Sequence, residues 1–111
     1  MARGKITDQQ SAVLSAVNRH GGEGYGARLQ TWLEDNAGLS MTLGSLYTTL
    51  DRLEAQGFVK SRLGDPTPER GGRAKRFYAL TAAGVEAFEA AEERRTRIQR
   101  ALGPIVWGGA K

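Results

Sequence analysis

The chain has 111 residues, of which 40% are hydrophobic and 25% charged, so one folded domain is expected. It contains no cysteine, which excludes disulfides, thiolate metal sites and cysteine nucleophiles. No apolar run is long enough to span a bilayer and the N-terminus has no signal-peptide core, so we expect a soluble, cytoplasmic protein.

The positive charge is concentrated in one segment. The whole chain has 16 Lys and Arg against 12 Asp and Glu, a formal net charge of +4. Residues 57–80 alone carry six basic and two acidic residues, an excess equal to that of the whole molecule. Such a local basic cluster indicates a polyanionic partner more directly than the total charge does.

Two helices are predicted before the middle of the chain. The first covers residues 7–19, where apolar side chains recur at helical spacing and Thr7 or Asp8 can cap the start. A glycine-rich segment then breaks the helix. The second covers about residues 25–36, and its apolar side chains, Trp32 among them, are expected to pack in the core.

The third predicted helix has a polar face that is expected to be exposed. It begins near Thr42 and ends at Gly57, where a left-handed C-terminal cap is expected. Its leucines recur at positions 46, 50 and 53 and form the buried side. The polar face comprises Thr42, Ser45, Thr48, Thr49 and Arg52. Short polar side chains and arginine suit a helix in the DNA major groove, although any solvated helix can carry them.

A β-hairpin with a long tip is predicted next. Its strands are residues 58–63 and 74–80, and the segment between them is rich in glycine and proline. Four cations surround the Gly71–Gly72 pair, where backbone freedom lets them reach DNA phosphates or the minor groove. These cations are Arg70, Arg73, Lys75 and Arg76. The alternative is a charged hairpin that protects a sheet edge from aggregation.

Thr81 is expected to cap a final helix that covers residues 82–102 and ends at Gly103–Pro104. Its apolar residues are too sparse to be buried along the whole length within one domain. They are Val85, Phe88, Ala91, Ile98 and Leu102. The order of elements is that of a winged helix-turn-helix, a mainly α (α+β) fold, with residues 1–80 as the winged domain and 81–111 as a C-terminal helix and tail.

Two long motifs in this order are specific enough to indicate a family. Residues 44–59 read GSLYTTLDRLEAQGFV. This segment resembles the pattern Gly-Thr-Leu-Tyr-x-x-Leu-x-Arg-Leu-Glu-x-x-Gly-Leu-Val of the PadR transcriptional regulators. Residues 72–84 are similar to the wing strand and last-helix start of that family, and the resemblance spans about residues 10–102. The sequence departs from the family pattern at Glu23, Gly26 and Ala74.

The resemblance implies a homodimer that binds double-stranded DNA at a palindromic operator, usually as a repressor. It implies that the last helix is the dimerisation helix, which explains its unburied apolar residues. It also implies that Ser45 and Tyr47 contact DNA from the third helix, although Tyr47 can equally be a core residue. The implied wing contacts are Gly72, Arg73, Lys75 and Arg76.

An effector is a further implication, because some relatives hold planar aromatic ligands between subunits near aromatic side chains. Trp107, which follows Pro104, is the candidate contact for a small aromatic effector. The alternatives are that Trp107 packs at the dimer interface or makes no contact.

Three other classes of function are less consistent with the sequence. An enzyme would need a nucleophile with its base, paired carboxylates, a metal cluster or a phosphate loop, and we predict no catalytic residue, cofactor or metal. A winged-helix protein–protein adaptor has no need of the basic hairpin. An RNA-binding protein would expose strand aromatics for base stacking, whereas those here are expected in the core.

Overall fold

The computed structural model describes residues 6–65 and 74–109. Its elements in chain order are α1 (Asp8–His20), α2 (Gly26–Ala37), α3 (Leu43–Ala55), β1 (Val59–Leu63), β2 (Arg76–Leu80) and α4 (Ala82–Leu102). This order confirms the predicted mainly helical winged helix-turn-helix. Three predicted DNA contacts, Arg70, Gly72 and Arg73, lie outside the described residues.

Threonine side chains begin three of the four helices. Thr7 forms a reciprocal capping box with Gln10: its hydroxyl accepts from the Gln10 amide at 3.0 Å, and its own amide donates to the Gln10 side chain at 2.9 Å. The hydroxyls of Thr42 and Thr81 each accept from the amide three residues later, at 3.0 Å. These bonds satisfy amides that have no partner within the helix, and therefore fix where each helix begins.

The core lies where α1, α2 and α3 meet the sheet. The predicted apolar side of α3 is confirmed, because Leu46, Leu50 and Leu53 are fully buried. Phe58 and Tyr78 close the core from the side of the hairpin, and both side chains are almost completely buried. The buried aliphatic side chains of the first two helices are Val13, Leu14, Val17, Leu29 and Leu33. Burial of this apolar surface is the main contribution that stabilises the arrangement.

The wing is a two-stranded antiparallel sheet whose register runs from Val59 opposite Leu80 to Leu63 opposite Arg76. One isolated bridge adds Gly24, from the turn between α1 and α2, to the outer side of β2. In this bridge the Tyr78 amide donates to the Gly24 carbonyl at 2.9 Å. The bridge was not predicted, and it joins the helical part of the domain directly to the wing.

The first turn of α4 packs very closely on the backbone of Phe58, the residue before β1. A Cβ atom at Gly84 would overlap the carbonyl oxygen of Phe58, so only glycine allows this approach. The Thr81 hydroxyl donates to the Gly57 carbonyl on the same side. Gly57 has a positive φ of 84°, as its predicted role at the end of α3 requires. In the two described stretches, no helix combines the length and apolar character needed to cross a bilayer.

We expect Gly84→Ala to lower the free energy of unfolding by about 3 kcal/mol, because the added methyl group would overlap a backbone atom that cannot rotate away. The corresponding fall in Tm is about 10 °C, measured at one fixed protein concentration. Gly44→Ala is the matched control: it is also a helical position, and an added Cβ meets nothing within 4 Å. A helical alanine there should leave stability unchanged or raise it by up to about 1 kcal/mol. Equal Tm values for the two variants would contradict the expected overlap.

Candidate nucleic-acid interface

The exposed face of α3 carries four of the five predicted polar residues. Thr42, Ser45, Thr48 and Arg52 are all exposed. The Thr48 hydroxyl donates to the Gly44 carbonyl at 3.0 Å, so its methyl group and its oxygen have fixed positions on the surface. This face therefore presents hydroxyl groups that can donate and accept, together with one guanidinium.

Thr49 is a correction to the sequence analysis, because it is only 8% exposed. It follows Leu46 by three residues and therefore lies on the same side of the helix. Its hydroxyl donates to the Ser45 carbonyl at 3.1 Å, which satisfies the polar group without water. The prediction that Thr49 lies on the exposed face of α3 is wrong.

Tyr47 lies at the junction of α3 with α2 and is 39% exposed. A Cβ atom at Gly26 would overlap its hydroxyl group, so the tyrosine lies directly on the first residue of α2. Gly26, one of the departures from the family pattern, thus gives Tyr47 its position. The side chain both packs against α2 and keeps an exposed part beside the polar face of α3.

Of the predicted wing cations, the described residues Lys75 and Arg76 are both exposed. Arg76 donates to the Ser61 hydroxyl at 3.0 Å, and that hydroxyl donates to the Glu54 carboxylate at 2.9 Å. These bonds join β2 through β1 to the last turn of α3. The base of the wing is therefore hydrogen-bonded to the end of α3.

Tyr78 lies beneath this network, and its burial raises its pKa from 10.0 to about 12. The nearby Arg76 lowers this pKa in part, whereas Asp51 and Glu54 raise it. The phenol is therefore uncharged throughout the physiological range.

The raised pKa makes stability fall in alkali. The folded pKa of Tyr78 lies above that of the unfolded chain, so its contribution is complete below pH 10 and is lost as the pH rises from 10 to about 12. We expect the wild type to lose stability relative to Tyr78→Phe by about 1.4 kcal/mol per pH unit within this window. Urea unfolding of both proteins between pH 8 and 12 measures the difference. Parallel pH profiles would contradict the burial effect.

A group of aromatic and basic side chains at the base of the wing was not predicted. Its members, which we call the wing-base cluster, are Tyr25, Arg28, Arg62, Lys75 and Phe77. The rings of Tyr25 and Phe77 meet edge to face, with centroids 5.8 Å apart and an angle of 88°. Arg62 lies 4.6 Å above the Phe77 ring, and the cations of Arg28 and Lys75 lie 4.9 and 5.1 Å from the centre of the Tyr25 ring.

The hairpin backbone makes room for this cluster. The Gly64 amide donates to the Lys75 carbonyl at 2.7 Å and so extends the pairing one step beyond the strands. A Cβ atom at Gly64 would lie 2.5 Å from the Phe77 ring. One sequence signal could have indicated the cluster, because Lys75 and Phe77 are two residues apart in the predicted strand 74–80 and so fall on the same side of it. The structure adds Arg62, which is the register partner of Phe77.

Exposed apolar residues lie at both ends of α4, Val85 in its first turn and Ile98 and Leu102 towards its C-terminal end. Val85, Ile98 and Leu102 are exposed by 40%, 61% and 67%, as expected for residues that find no partner within one chain. The following tail also exposes Ile105, Val106 and Trp107 by more than 80%.

Two other residues of the predicted dimer surface, Ala91 and Phe88, are less exposed than these. Ala91 is only 6% exposed, because α4 packs against α1 at this point. Phe88 is half-buried against the same core. Ala91 is therefore part of the core of the single chain, and its assignment to a dimer surface is corrected. Within the described residues no three His, Asp or Glu side chains are placed to hold a metal ion.

Comparison with known proteins agrees with this arrangement. The profile of the transcriptional regulator PadR-like family matches residues 13–90. A PadR family transcription regulator from Clostridium difficile is 19% identical, with a TM-score of 0.71 over 84% of this chain and 92% of its own.

Two further solved structures share the fold. A transcriptional regulator from Clostridium thermocellum is 20% identical, with a TM-score of 0.70 over 88% of this chain and 92% of its own. A PadR-like regulator from Bacillus cereus is 21% identical, with a TM-score of 0.67 over 87% and 93% of the two chains. No curated protein matches the sequence. The family match covers well over half of the chain, which therefore belongs to the PadR-like family of transcriptional regulators.

Proposed function

We propose that this regulator binds double-stranded DNA as a homodimer and represses transcription at a palindromic operator. The observation that carries the proposal is the position of the polar face of α3 beside the basic base of the wing. Contacts connect the two: Tyr47 of α3 lies on Gly26, and Tyr25 just before it lies beside Lys75. A winged helix-turn-helix can place its third helix in the major groove and its hairpin on the adjacent DNA backbone only when these two surfaces lie side by side.

The two parts of the surface have different proposed roles. Ser45, Thr48 and Arg52 face the base edges, because hydroxyls and guanidinium groups match the hydrogen-bonding pattern of the major groove. Thr42 and Tyr47 lie at the margins of this face and contact the sugar–phosphate backbone. The proposed phosphate contacts of the wing are Arg70, Gly72, Arg73, Lys75 and Arg76.

The apolar end of α4 supports the proposed homodimer. Contiguous exposed apolar residues of this kind usually mark an interface, and the surface formed by Ile98, Leu102 and the 105–107 tail has no partner within the described chain. A two-fold axis through α4 pairs this surface with the same surface of a second subunit. The dimer then has two winged domains, each with one DNA-binding surface, which we call the reading heads. The two heads then bind half-sites about one helical turn apart.

Release by a small aromatic effector is the remaining part of the proposal. Trp107 is 81% exposed a few residues after the exposed apolar end of α4, and in the proposal a planar ligand lies beside it between two subunits. The proposed ligand binds more tightly to dimers with one separation of the two DNA-binding surfaces than to dimers with another. The difference between these two ligand-binding free energies sets how far the ligand can change the DNA affinity.

Fluorescence anisotropy with the duplex upstream of the protein's own gene tests DNA binding. Specific binding is expected to be nanomolar, to survive excess unrelated duplex and to weaken with salt as phosphate contacts require. Weak binding that disappears with salt and competitor would overturn the proposal. The winged-helix adaptor would then be the better interpretation.

A further inference from the structure

The ring of Tyr25 has two cations beside it that come from different parts of the fold. Arg28 belongs to the first turn of α2, and its Cζ lies 4.9 Å from the ring centroid. Lys75 precedes β2 in the wing, and its Nζ lies 5.1 Å from the same centroid. The ring thus brings a helix cation and a wing cation into one small region. Both of these basic side chains are exposed.

The charged groups lie 4.9 and 5.1 Å from one centroid and are therefore at most about 10 Å apart, a separation at which like charges repel each other. The negative face of the aromatic ring attracts each of them. Carboxylates do not take part, because neither Arg28 nor Lys75 forms an ion pair within residues 6–65 and 74–109. The Arg28 side chain donates a hydrogen bond to the Glu23 backbone carbonyl, at 3.3 Å. An anion from outside the described chain would therefore relieve the repulsion.

Arg62, in the same cluster, is in the opposite situation. Its guanidinium lies over Phe77 and forms an ion pair with Glu23 at 3.6 Å. Phe77 in turn supports the edge of the Tyr25 ring. The cluster therefore contains one cation with a carboxylate partner and two cations without one, which makes Arg62 a matched internal control.

We propose that Tyr25 is a positioning residue that holds Arg28 and Lys75 together as a binding site for a DNA phosphodiester group. The helix α2 and the wing then bind the backbone as one unit, with the distance between their cations set before DNA arrives. This inference rests on the proposed DNA binding. It adds Tyr25 and Arg28 to the residues proposed for the interface.

DNA affinity of full-length variants, titrated with salt, tests the phosphate site. Arg28→Gln and Lys75→Gln should each weaken binding to all duplexes about tenfold and reduce the slope of log K against log salt by about one. Tyr25→Leu should cause a similar loss although it removes no charge. Tyr25→Phe should stay within about twofold of the wild type, because the ring attracts the cations. Arg62→Gln should also change affinity less than about twofold.

A double-mutant cycle separates positioning from a general structural effect. In the wild-type background, Arg28→Gln and Lys75→Gln should not be additive, because both cations bind the same group. In the Tyr25→Leu background, each of these two substitutions should reduce DNA affinity by less, and the two reductions should become additive. Full additivity in both backgrounds would overturn the shared site.

NMR of the DNA-free protein gives a measurement that does not depend on DNA binding. The side-chain methylene protons of Arg28 and Lys75 next to their charged groups should be shifted upfield by the Tyr25 ring. The shifts should persist in Tyr25→Phe and disappear in Tyr25→Leu, with α-helical circular dichroism unchanged.

Absent shifts in the wild type overturn the inference on their own. If the wild type binds DNA and neither Tyr25→Leu nor Arg28→Gln changes the affinity, the inference is wrong but the proposed function stands. If the wild type binds no duplex, the proposed function and the inference are both wrong.

Discussion

Leu102→Asp is expected to sediment as a monomer and to bind a duplex with two half-sites about 10²–10⁴-fold more weakly than the wild type. Leu102 is 67% exposed in the single chain, so the substitution leaves the fold of one subunit intact. In the proposed dimer a carboxylate would be buried twice across the two-fold axis, without a partner charge. Loss of the dimer removes the effective concentration that the first bound half-site gives the second.

Thr96→Asp is the charge-matched control for this substitution. Thr96 is exposed on the same helix, but its two-residue offset from Ile98 places it on a different side. This variant should remain dimeric and keep its DNA affinity. A dimeric Leu102→Asp protein, measured by sedimentation equilibrium at micromolar concentration, would place the interface elsewhere.

Arg52→Ala is expected to reduce discrimination between the operator and unrelated duplex by about 1–3 kcal/mol, which corresponds to roughly 5- to 150-fold. Arg52 is exposed in the last turn of α3 and forms no ion pair within the described residues. Its guanidinium is free to donate two hydrogen bonds to one base edge. Affinity for unrelated duplex should fall much less, because that affinity comes from phosphate contacts.

Arg97→Ala provides the comparison for this loss of specificity. Arg97 carries the same charge but lies on α4, paired with Glu93 at 3.3 Å and remote from the proposed DNA surface. Competition titrations of the two variants with operator and unrelated duplex measure the discrimination directly. If Arg52→Ala weakens binding to both duplexes equally, Arg52 is a phosphate contact and does not read the sequence.

The fold could be predicted because its signals are local. Thr7, Thr42 and Thr81 begin their helices through bonds to residues three positions away, and such bonds are visible in the sequence. The spacing of the leucines in α3 predicted its buried side for the same reason. The bridge between Gly24 and Tyr78 has no such signal, because it pairs two single residues that are distant in the chain.

The candidate site could be predicted only in part, since packing decides which polar side chains are exposed. Thr49 is polar but can be buried, because its hydroxyl binds the backbone of its own helix. Ala91 looks the same in sequence whether it faces α1 or a second subunit. Tyr25 is the first residue of the predicted second helix, whose apolar side chains were expected in the core, although its ring attracts cations from α2 and from the wing.

The close packing of Gly84 on Phe58 has a consequence for how a signal would cross the molecule. The start of α4 lies directly on the backbone carbonyl of Phe58, the residue before β1, so the proposed dimerisation helix and the base of the wing are in direct contact. In the proposed dimer, a rotation of one α4 against the other would therefore carry the base of the wing with it. The chain as a whole is elongated, with extents of 63 × 39 × 20 Å, so a small rotation at the proposed interface would become a larger displacement at the proposed DNA surface. Control of such a dimer would then act through the contact between α4 and the wing.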